Sequence, residues 1–361
     1  MERTFPPLAS LHLALAGIFQ TLGRYEEMLA AAERAAEIAA AIGHDRFLAW
    51  AEERRGSAFS FLGQPERARA ALERAIPLLE GMGDLGRLQI AICNLGEAHR
   101  IAGELEDADR YAEQALHVGQ RVGNPSYIAL DLNNLGQIRL SLGKWTEARE
   151  YLERAEEVVA GFTSASTYGA YTPAMLSQLL LCTGDWDGAE RQLERALGIA
   201  EVSEDRQVLE MIHLTGAELE ILRGEPEKAA ARLEALPRLE GGLRSLIEAT
   251  LAWAQLEGGD VQHAAEIATQ AVSRAREAGE VLALADALRV CGMVLAAQGR
   301  KGEAEEAFAE GLQIARSLPY PYAEARILYE MGKVDEALTI FQRLGARKDI
   351  ERAEEKLAAP A

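Results

Sequence analysis

Residues 134–148 read NLGQIRLSLGKWTEA, and the pattern inside this stretch occurs nine times along the 361-residue chain. The pattern has a small residue at Gly136, a glycine seven positions later at Gly143 and an alanine five positions further on at Ala148. Successive copies of the second glycine are separated by 40, 40, 40, 41, 40, 35, 40 and 33 residues. A period of this length indicates stacked structural units.

The copies agree at all three marked positions. The second glycine is Gly23, Gly63, Gly103, Gly143, Gly184, Gly224, Gly259, Gly299 or Gly332. The small residue before it is Ala16, Gly56, Gly96, Gly136, Ser177, Ala217, Ala252, Gly292 or Ala325. The alanine after it is Ala68, Ala108, Ala148, Ala189, Ala229, Ala264, Ala304 or Ala337, and only Met28 departs. Because small side chains let helices approach closely and glycine commonly ends a helix, each unit is predicted to be a helical hairpin.

This pattern, with an aromatic residue two positions after the glycine at Tyr25, Trp145 and Trp186, resembles the tetratricopeptide repeat over essentially the whole chain. The period near 40 exceeds the 34 residues of that repeat and is shared with HEAT-type arrays. We interpret it as a long-helix variant with about one extra helical turn per hairpin. The predicted fold class is all-α: a right-handed solenoid of about nine hairpins with a C-terminal capping helix and no strands.

A solenoid grows by adding units, so the whole chain, residues 1–361, is predicted to be one domain. The expected repeats are 6–43, 44–82, 84–123, 125–160, 167–202, 204–237, 241–278, 280–316 and 320–345, with a cap at 346–358. The irregular segments 161–167 and 237–242 predict local bends.

Composition limits the classes of partner. With 38 basic and 57 acidic residues the net charge is -19, which opposes binding to nucleic acid or to an anionic membrane.

The chain begins without a secretory signal and has no apolar run of 18 residues, so we expect a cytoplasmic protein. Cys93, Cys182 and Cys291 are far apart, as expected of reduced, buried thiols.

The patterns that would indicate catalysis are missing from the sequence. Gly143-Lys144 and Gly332-Lys333 lack the earlier glycine and the following hydroxyl of a phosphate-binding loop. No two of the six histidines are four residues apart, and there is no Cys-x-x-Cys. We therefore expect a non-enzymatic protein with no catalytic residues, no cofactor and no metal.

The resemblance implies that the first helices of successive hairpins line a concave groove. The repeat phase places there Trp50, Arg54, Asn94, Glu97, Arg100, Asn133, Asn134, Gln137, Tyr171 and Gln178. Residues 94–96 and 132–136 resemble segments of kinesin light chain repeats, in which asparagines hold an extended peptide backbone. An amide offers both a donor and an acceptor for this task. The alternative is that these asparagines bond the backbone of the neighbouring hairpin.

Farther along the chain, the side chains in this phase become apolar. They are Met211, Leu214, Leu246, Trp253, Met293, Tyr322 and Tyr329. Trp253 is the candidate binding residue of this set, and half of the set is expected to be core between hairpins.

The C-terminal segments 320–326 and 341–357 resemble the end of bacterial signal-transduction ATPases with numerous domains, known as STAND-type regulators. This resemblance implies the sensor part of a larger regulator that takes a protein or peptide in its groove. An ATPase domain of the same or a neighbouring chain is a candidate partner. Two alternatives stay open: a sugar-like effector bound on the inner face, as in maltose-type activators, or an intramolecular clamp that holds an ATPase domain at rest.

Overall fold

The structure, a computed structural model, describes residues 5–160, 169–203, 206–236 and 243–359. Over these ranges the chain forms nineteen helices and no strand, in a solenoid-like array of hairpins. The predicted all-helical class is confirmed. The described residues fall into two compact units, unit 1 through Asn134 and unit 2 from Leu135 onward. The expected bends at 161–167 and 237–242 lie outside the described residues.

Unit 1 consists of three complete hairpins and most of a fourth first helix. Its helices are α1 (Phe5–Thr21), α2 (Tyr25–Ala41), α3 (Asp45–Phe61), α4 (Pro65–Met82), α5 (Leu85–Ile101), α6 (Leu105–Val122) and the first part of α7 (Pro125–Ser141).

Unit 2 begins within α7 and contains the shorter C-terminal helices. Its helices are α8 (Trp145–Val159), α9 (Tyr171–Thr183), α10 (Trp186–Ser203), α11 (Arg206–Leu222), α12 (Pro226–Glu234), α13 (Arg244–Glu257), α14 (Val261–Ala278), α15 (Val281–Ala297), α16 (Lys301–Ser317), α17 (Pro321–Glu330), α18 (Val334–Leu344) and α19 (Arg347–Ala358).

The hairpin turns follow from local backbone chemistry. All nine turn glycines have φ between 66° and 90°, in the left-handed region that a side chain with Cβ adopts only under strain. Pro65 and Pro226 begin α4 and α12, where the missing amide hydrogen has no helical partner to lose. These turns and starts lie where the sequence predicts them.

The small-residue positions form the seams inside hairpins. A Cβ added to Gly136 would lie 2.6 Å from Cδ2 of Leu152 on α8, and a Cβ on Gly56 would overlap Leu72 of α4 in the same way. The second helix therefore inserts a leucine over the glycine of the first.

In unit 2 the C-terminal helices also pack against hairpins far away in sequence. The Trp145 and Tyr322 rings meet edge to face with centroids 5.5 Å apart. Nη1 of Arg326 lies 2.7 Å from Oε1 of Glu218, across 108 residues. Arg347 donates from Nε to the carbonyl oxygen of Thr183 at 3.1 Å. Each repeat of a simple solenoid contacts only the neighbouring repeats. The contacts between distant hairpins inside unit 2 are therefore not predicted by the repeat period.

Candidate functional site

Hydrogen bonds join the first helices of unit 1 at roughly one-repeat spacing. Asn94 donates from Nδ2 to Oγ of Ser57 at 2.7 Å, and Asn134 donates from Nδ2 to Sγ of Cys93 at 3.1 Å. Arg54 donates to the side-chain oxygen of Gln20. We call this hydrogen-bonded set on α1, α3, α5 and α7 the first-helix ladder: Gln20, Arg54, Ser57, Asn94, Cys93 and Asn134.

The two ladder asparagines use only part of their amide. The hydrogen bond from Nδ2 of each residue to the preceding hairpin fixes the orientation of its side chain. Both residues are half-buried, and within the described residues neither Oδ1 has a hydrogen-bond partner. Their acceptors are therefore left for an external donor. The asparagines do bond the neighbouring hairpin, but through its side chains and not through its backbone.

A fully buried carboxylate lies beneath the ladder. Glu53 on α3 is 0% exposed and accepts from Nη1 of Arg87 at 2.6 Å and from Oγ of Ser57 at 3.1 Å. Nε of Arg54 lies 3.9 Å from Glu53 Oε2. The two arginine side chains remain 21% and 24% exposed, so this face presents guanidinium groups while the compensating negative charge is inside.

Trp50 stands beside this group with one ring face covered. Its Nε1 donates to Oδ2 of Asp84 at 2.9 Å, and the Arg87 guanidinium lies 4.4 Å from the ring centroid. These contacts hold the half-buried indole in a fixed orientation. On the next first helix, Arg100 and Glu97 form a two-bond ion pair, at 2.7 and 2.6 Å.

Asn133 does not face a groove, so this site prediction is wrong. It is 1% exposed, and within the described residues neither amide atom has a hydrogen-bond partner. Its sequence neighbour Asn134 is on the ladder because adjacent helical residues point about 100° apart.

A second buried polar group was missed by sequence reasoning. Asp131 on α7 is 0% exposed, and its Oδ1 accepts from Nε2 of Gln89 on α5 at 2.6 Å. Its Oδ2 has no hydrogen-bond partner in the described part of the chain. Burial raises the pKa of Asp131 to about 8 and raises the pKa of the adjacent Cys93 thiol. Both groups are therefore held neutral.

Apart from Trp253, the sequence-predicted residues of unit 2 are Gln137, Tyr171 and Gln178. Gln137 and Gln178 are half-buried. The hydroxyl of Tyr171 donates to Oε1 of Gln207 at 3.1 Å. These residues stay predictions as binding positions.

Trp253 is not available to a ligand, which corrects a further site prediction. It is 5% exposed, and its Nε1 donates to Oε1 of Glu257 at 3.1 Å. The guanidinium groups of Arg289 and Arg326 lie 4.7 and 5.2 Å from its ring centroid. Burial, together with the positive charge of Arg326, lowers the pKa of Arg289 to about 10.

One group in unit 1 has the residue types of a metal site. The potential ligand atoms of His99, Glu104 and Asp107 lie within 4.8 Å of one another. The Glu104 carboxylate pairs with Nη1 of Arg69 at 2.7 Å and also contacts Nδ1 of His99, and Asp107 pairs with Arg110. Because both carboxylates already face arginines, this arrangement is a hydrogen-bonded charge cluster and not a preformed cation site.

Comparisons with known proteins support the repeat assignment. A tetratricopeptide repeat family model matches residues 7–81 and 87–159, and a second tetratricopeptide repeat model matches residues 322–347. The chain thus contains tetratricopeptide repeats near both ends. No curated protein matches the chain.

Solved structures share the fold at low sequence identity. The Rap conjugation gene regulator of plasmid pLS20, solved in complex with the Phr* peptide, is 20% identical with a TM-score of 0.57. That match covers 74% of this chain and 73% of the regulator. The apo form of RapI is 13% identical with a TM-score of 0.53, over 75% of this chain and 98% of RapI.

Among the described helices, none combines the length and the apolar character needed to span a membrane.

Proposed function

We propose that this chain is a non-catalytic helical-repeat module that binds a protein or peptide segment along the first-helix ladder of unit 1. The proposal rests on the geometry that Asn94 and Asn134 share. In each residue, Nδ2 donates a hydrogen bond to the preceding first helix, and Oδ1 has no partner within the described residues. Such an oxygen can accept a backbone N–H from an extended segment whatever its sequence. The pLS20 regulator, which shares this fold, was solved in complex with a peptide, and this supports a peptide as the class of ligand.

The spacing of the two asparagines fits an extended ligand. Packed helices lie about 8–10 Å apart, and an extended chain rises about 3.3 Å per residue. Because alternate N–H groups of an extended chain point to the same side and lie about 6.6 Å apart, the two amide side chains would lean toward each other to accept from such a pair. Trp50 and Arg54 stand on the preceding first helix and are residue types that often anchor interfaces. The partly exposed guanidinium groups of Arg54 and Arg87 lie above the buried Glu53. Because these groups are positively charged, we expect the ligand to contain acidic side chains.

The test uses a phage-displayed peptide library selected against the wild-type chain. The double variant Asn94→Ala and Asn134→Ala should bind a selected peptide about 5- to 150-fold more weakly, because each lost hydrogen bond contributes about 0.5–1.5 kcal/mol. A matched control removes two exposed glutamates from the second helices of unit 1, Glu73→Ala and Glu113→Ala, and should bind normally. Equal affinity of the asparagine variant and the wild type would rule out this site.

We further propose that the module is the sensor part of a larger ATPase regulator, a role that rests on the resemblance of the C-terminal segments alone. A sugar-like effector is the less favoured ligand, because it would need an open aromatic ring to stack on. Arginines cover the Trp253 ring, and Arg87 covers one face of Trp50.

A further inference from the structure

Helix α1, together with Leu22 immediately after its last residue, exposes a stripe of large apolar side chains. Leu8 is 38% exposed, and Leu11, Ile18 and Leu22 are each 54% exposed. These are four of the six large hydrophobic side chains that are exposed in the described part of the chain. With the half-buried Leu15 they are spaced by three, four, three and four residues, the a/d pattern of a coiled-coil seam. We call these five residues the α1 stripe.

The corresponding face is covered in the next first helix. Forty residues after Leu11 and Ile18 stand Ala51 and Ala58 on α3, both 0% exposed. Ala51 packs with Ala35 and Ala36 of α2, and Ala58 packs with Met28, Ala31 and Ala32 of α2.

The α1 stripe therefore differs from the internal seams of unit 1 in both size and exposure. A stripe of leucine and isoleucine suits a partner helix that brings an a/d stripe of its own, because side chains of this size pack as knobs into holes.

We propose that the α1 stripe is the interface with a second copy of this chain, with the two α1 helices packed antiparallel about a two-fold axis. A two-fold interface uses the same patch on both subunits, so an a/d stripe is complementary to itself. Antiparallel packing places the positive end of each helix dipole beside the negative end of the other.

Charge supports a second copy as the occupant. The chain has a net charge of -19, so most contacts between two copies would bring acidic groups together. Helix α1 contains no aspartate, glutamate, lysine or arginine in its 17 residues. Contact through α1 therefore buries apolar surface without placing like charges against each other.

The size of the stripe sets the strength of the contact. A helix of 17 residues is about 25 Å long, and a standard stable interface buries about 800 Å² on each partner. A single exposed helix face lies at the small end of this range, so we expect a reversible dimer that forms in the micromolar range.

Sedimentation equilibrium of the wild-type chain across micromolar concentrations is the test. The wild type should show a concentration-dependent dimer. Ile18→Glu should weaken association at least about a hundredfold, because the contact is lost twice per dimer and a charge faces an apolar stripe. Val202→Glu, at a residue of α10 that is 73% exposed, is the matched control and should dimerise as the wild type does. Circular dichroism melts at submicromolar concentration, where the wild type is monomeric, should be alike for both variants and the wild type, since both side chains are exposed in the monomer.

Two results would overturn the proposal. A wild-type chain that stays monomeric throughout would assign the stripe to another occupant, such as a further hairpin or a different protein. A dimer that survives Ile18→Glu would place the self-association elsewhere. Neither result bears on peptide binding at the first-helix ladder, which uses other residues.

Discussion

Replacing Asp131 by asparagine is expected to stabilise unit 1 at neutral and alkaline pH. The carboxyl is fully buried; its Oδ1 accepts from Gln89 at 2.6 Å, its Oδ2 lacks a comparable partner, and the Cys93 thiol adds a weak hydrogen bond to the group. Burial raises its pKa to about 8, so the folded chain holds it mostly protonated at pH 7. Asparagine keeps the oxygen that Gln89 contacts and replaces the protonated oxygen with an uncharged NH2 group of similar size.

The sign of the pH dependence follows from proton binding. Between the ordinary aspartate pKa of 3.8 and about 8, the folded chain binds more protons at Asp131 than the unfolded chain does. The wild-type free energy of unfolding therefore falls as pH rises through this window and levels off above it. The slope is at most about 1.4 kcal/mol per pH unit. The advantage of the variant should thus be small near pH 4 and grow to about 5 kcal/mol by pH 8.

Urea unfolding of both proteins, followed by circular dichroism from acidic to alkaline pH, measures this difference. Asp187→Asn is the matched control, because the Asp187 side chain is 84% exposed and its ion pair with Arg223 is on the surface. The control should run parallel to the wild type. If the Asp131→Asn curve also runs parallel, the carboxyl ionises in the fold near its ordinary pKa and the argument from burial fails.

Three other measurements test the seam, the closure of unit 2 and the absence of catalysis. Gly136→Ala should destabilise the chain by about 1–3 kcal/mol, since the added Cβ meets Leu152 at 2.6 Å. Gly198→Ala, where a Cβ meets nothing within 4 Å, should instead stabilise it by about 0.5–1 kcal/mol in urea unfolding. Arg326→Ala should lower the Tm by leaving Glu218 unpaired, whereas the double variant with Glu218→Gln should recover part of the loss. The purified chain should neither hydrolyse ATP nor retard DNA, and turnover that survives repurification would contradict this.

Sequence reasoning succeeded where the signal is local and periodic. The turn glycines have φ values that only glycine adopts without strain, so their recurrence gives the hairpin ends directly. The small residues seven positions earlier, such as Gly136, mark the seams because a Cβ there would overlap the facing leucine. The α1 stripe is also legible in the sequence, as apolar residues three and four positions apart, but its exposure is not.

The site was predicted less well because burial depends on the rotation of each helix against its neighbours. Asn133 and Asn134 are adjacent and have the same chemistry, yet one is 1% exposed and the other is on the first-helix ladder. Glu53 is four residues before Ser57, a spacing that places the two on one helix face. Only packing shows that Glu53 is fully buried beneath Arg87.

The sequence alone determined an all-helical chain of hairpins, because helix ends, turn geometry and close helix contacts are each specified by residues a few positions apart. Only the tertiary structure decided that α17 and α19 contact α11 and the end of α9, that arginines cover Trp253, and that Asp131 is held neutral in a core. Those outcomes depend on residues such as Arg326 and Glu218, which are 108 positions apart and follow no period. A repeat pattern specifies the structure of each hairpin and its packing against the next hairpin. Contacts between distant hairpins depend instead on how the small rotation from one hairpin to the next accumulates along the array.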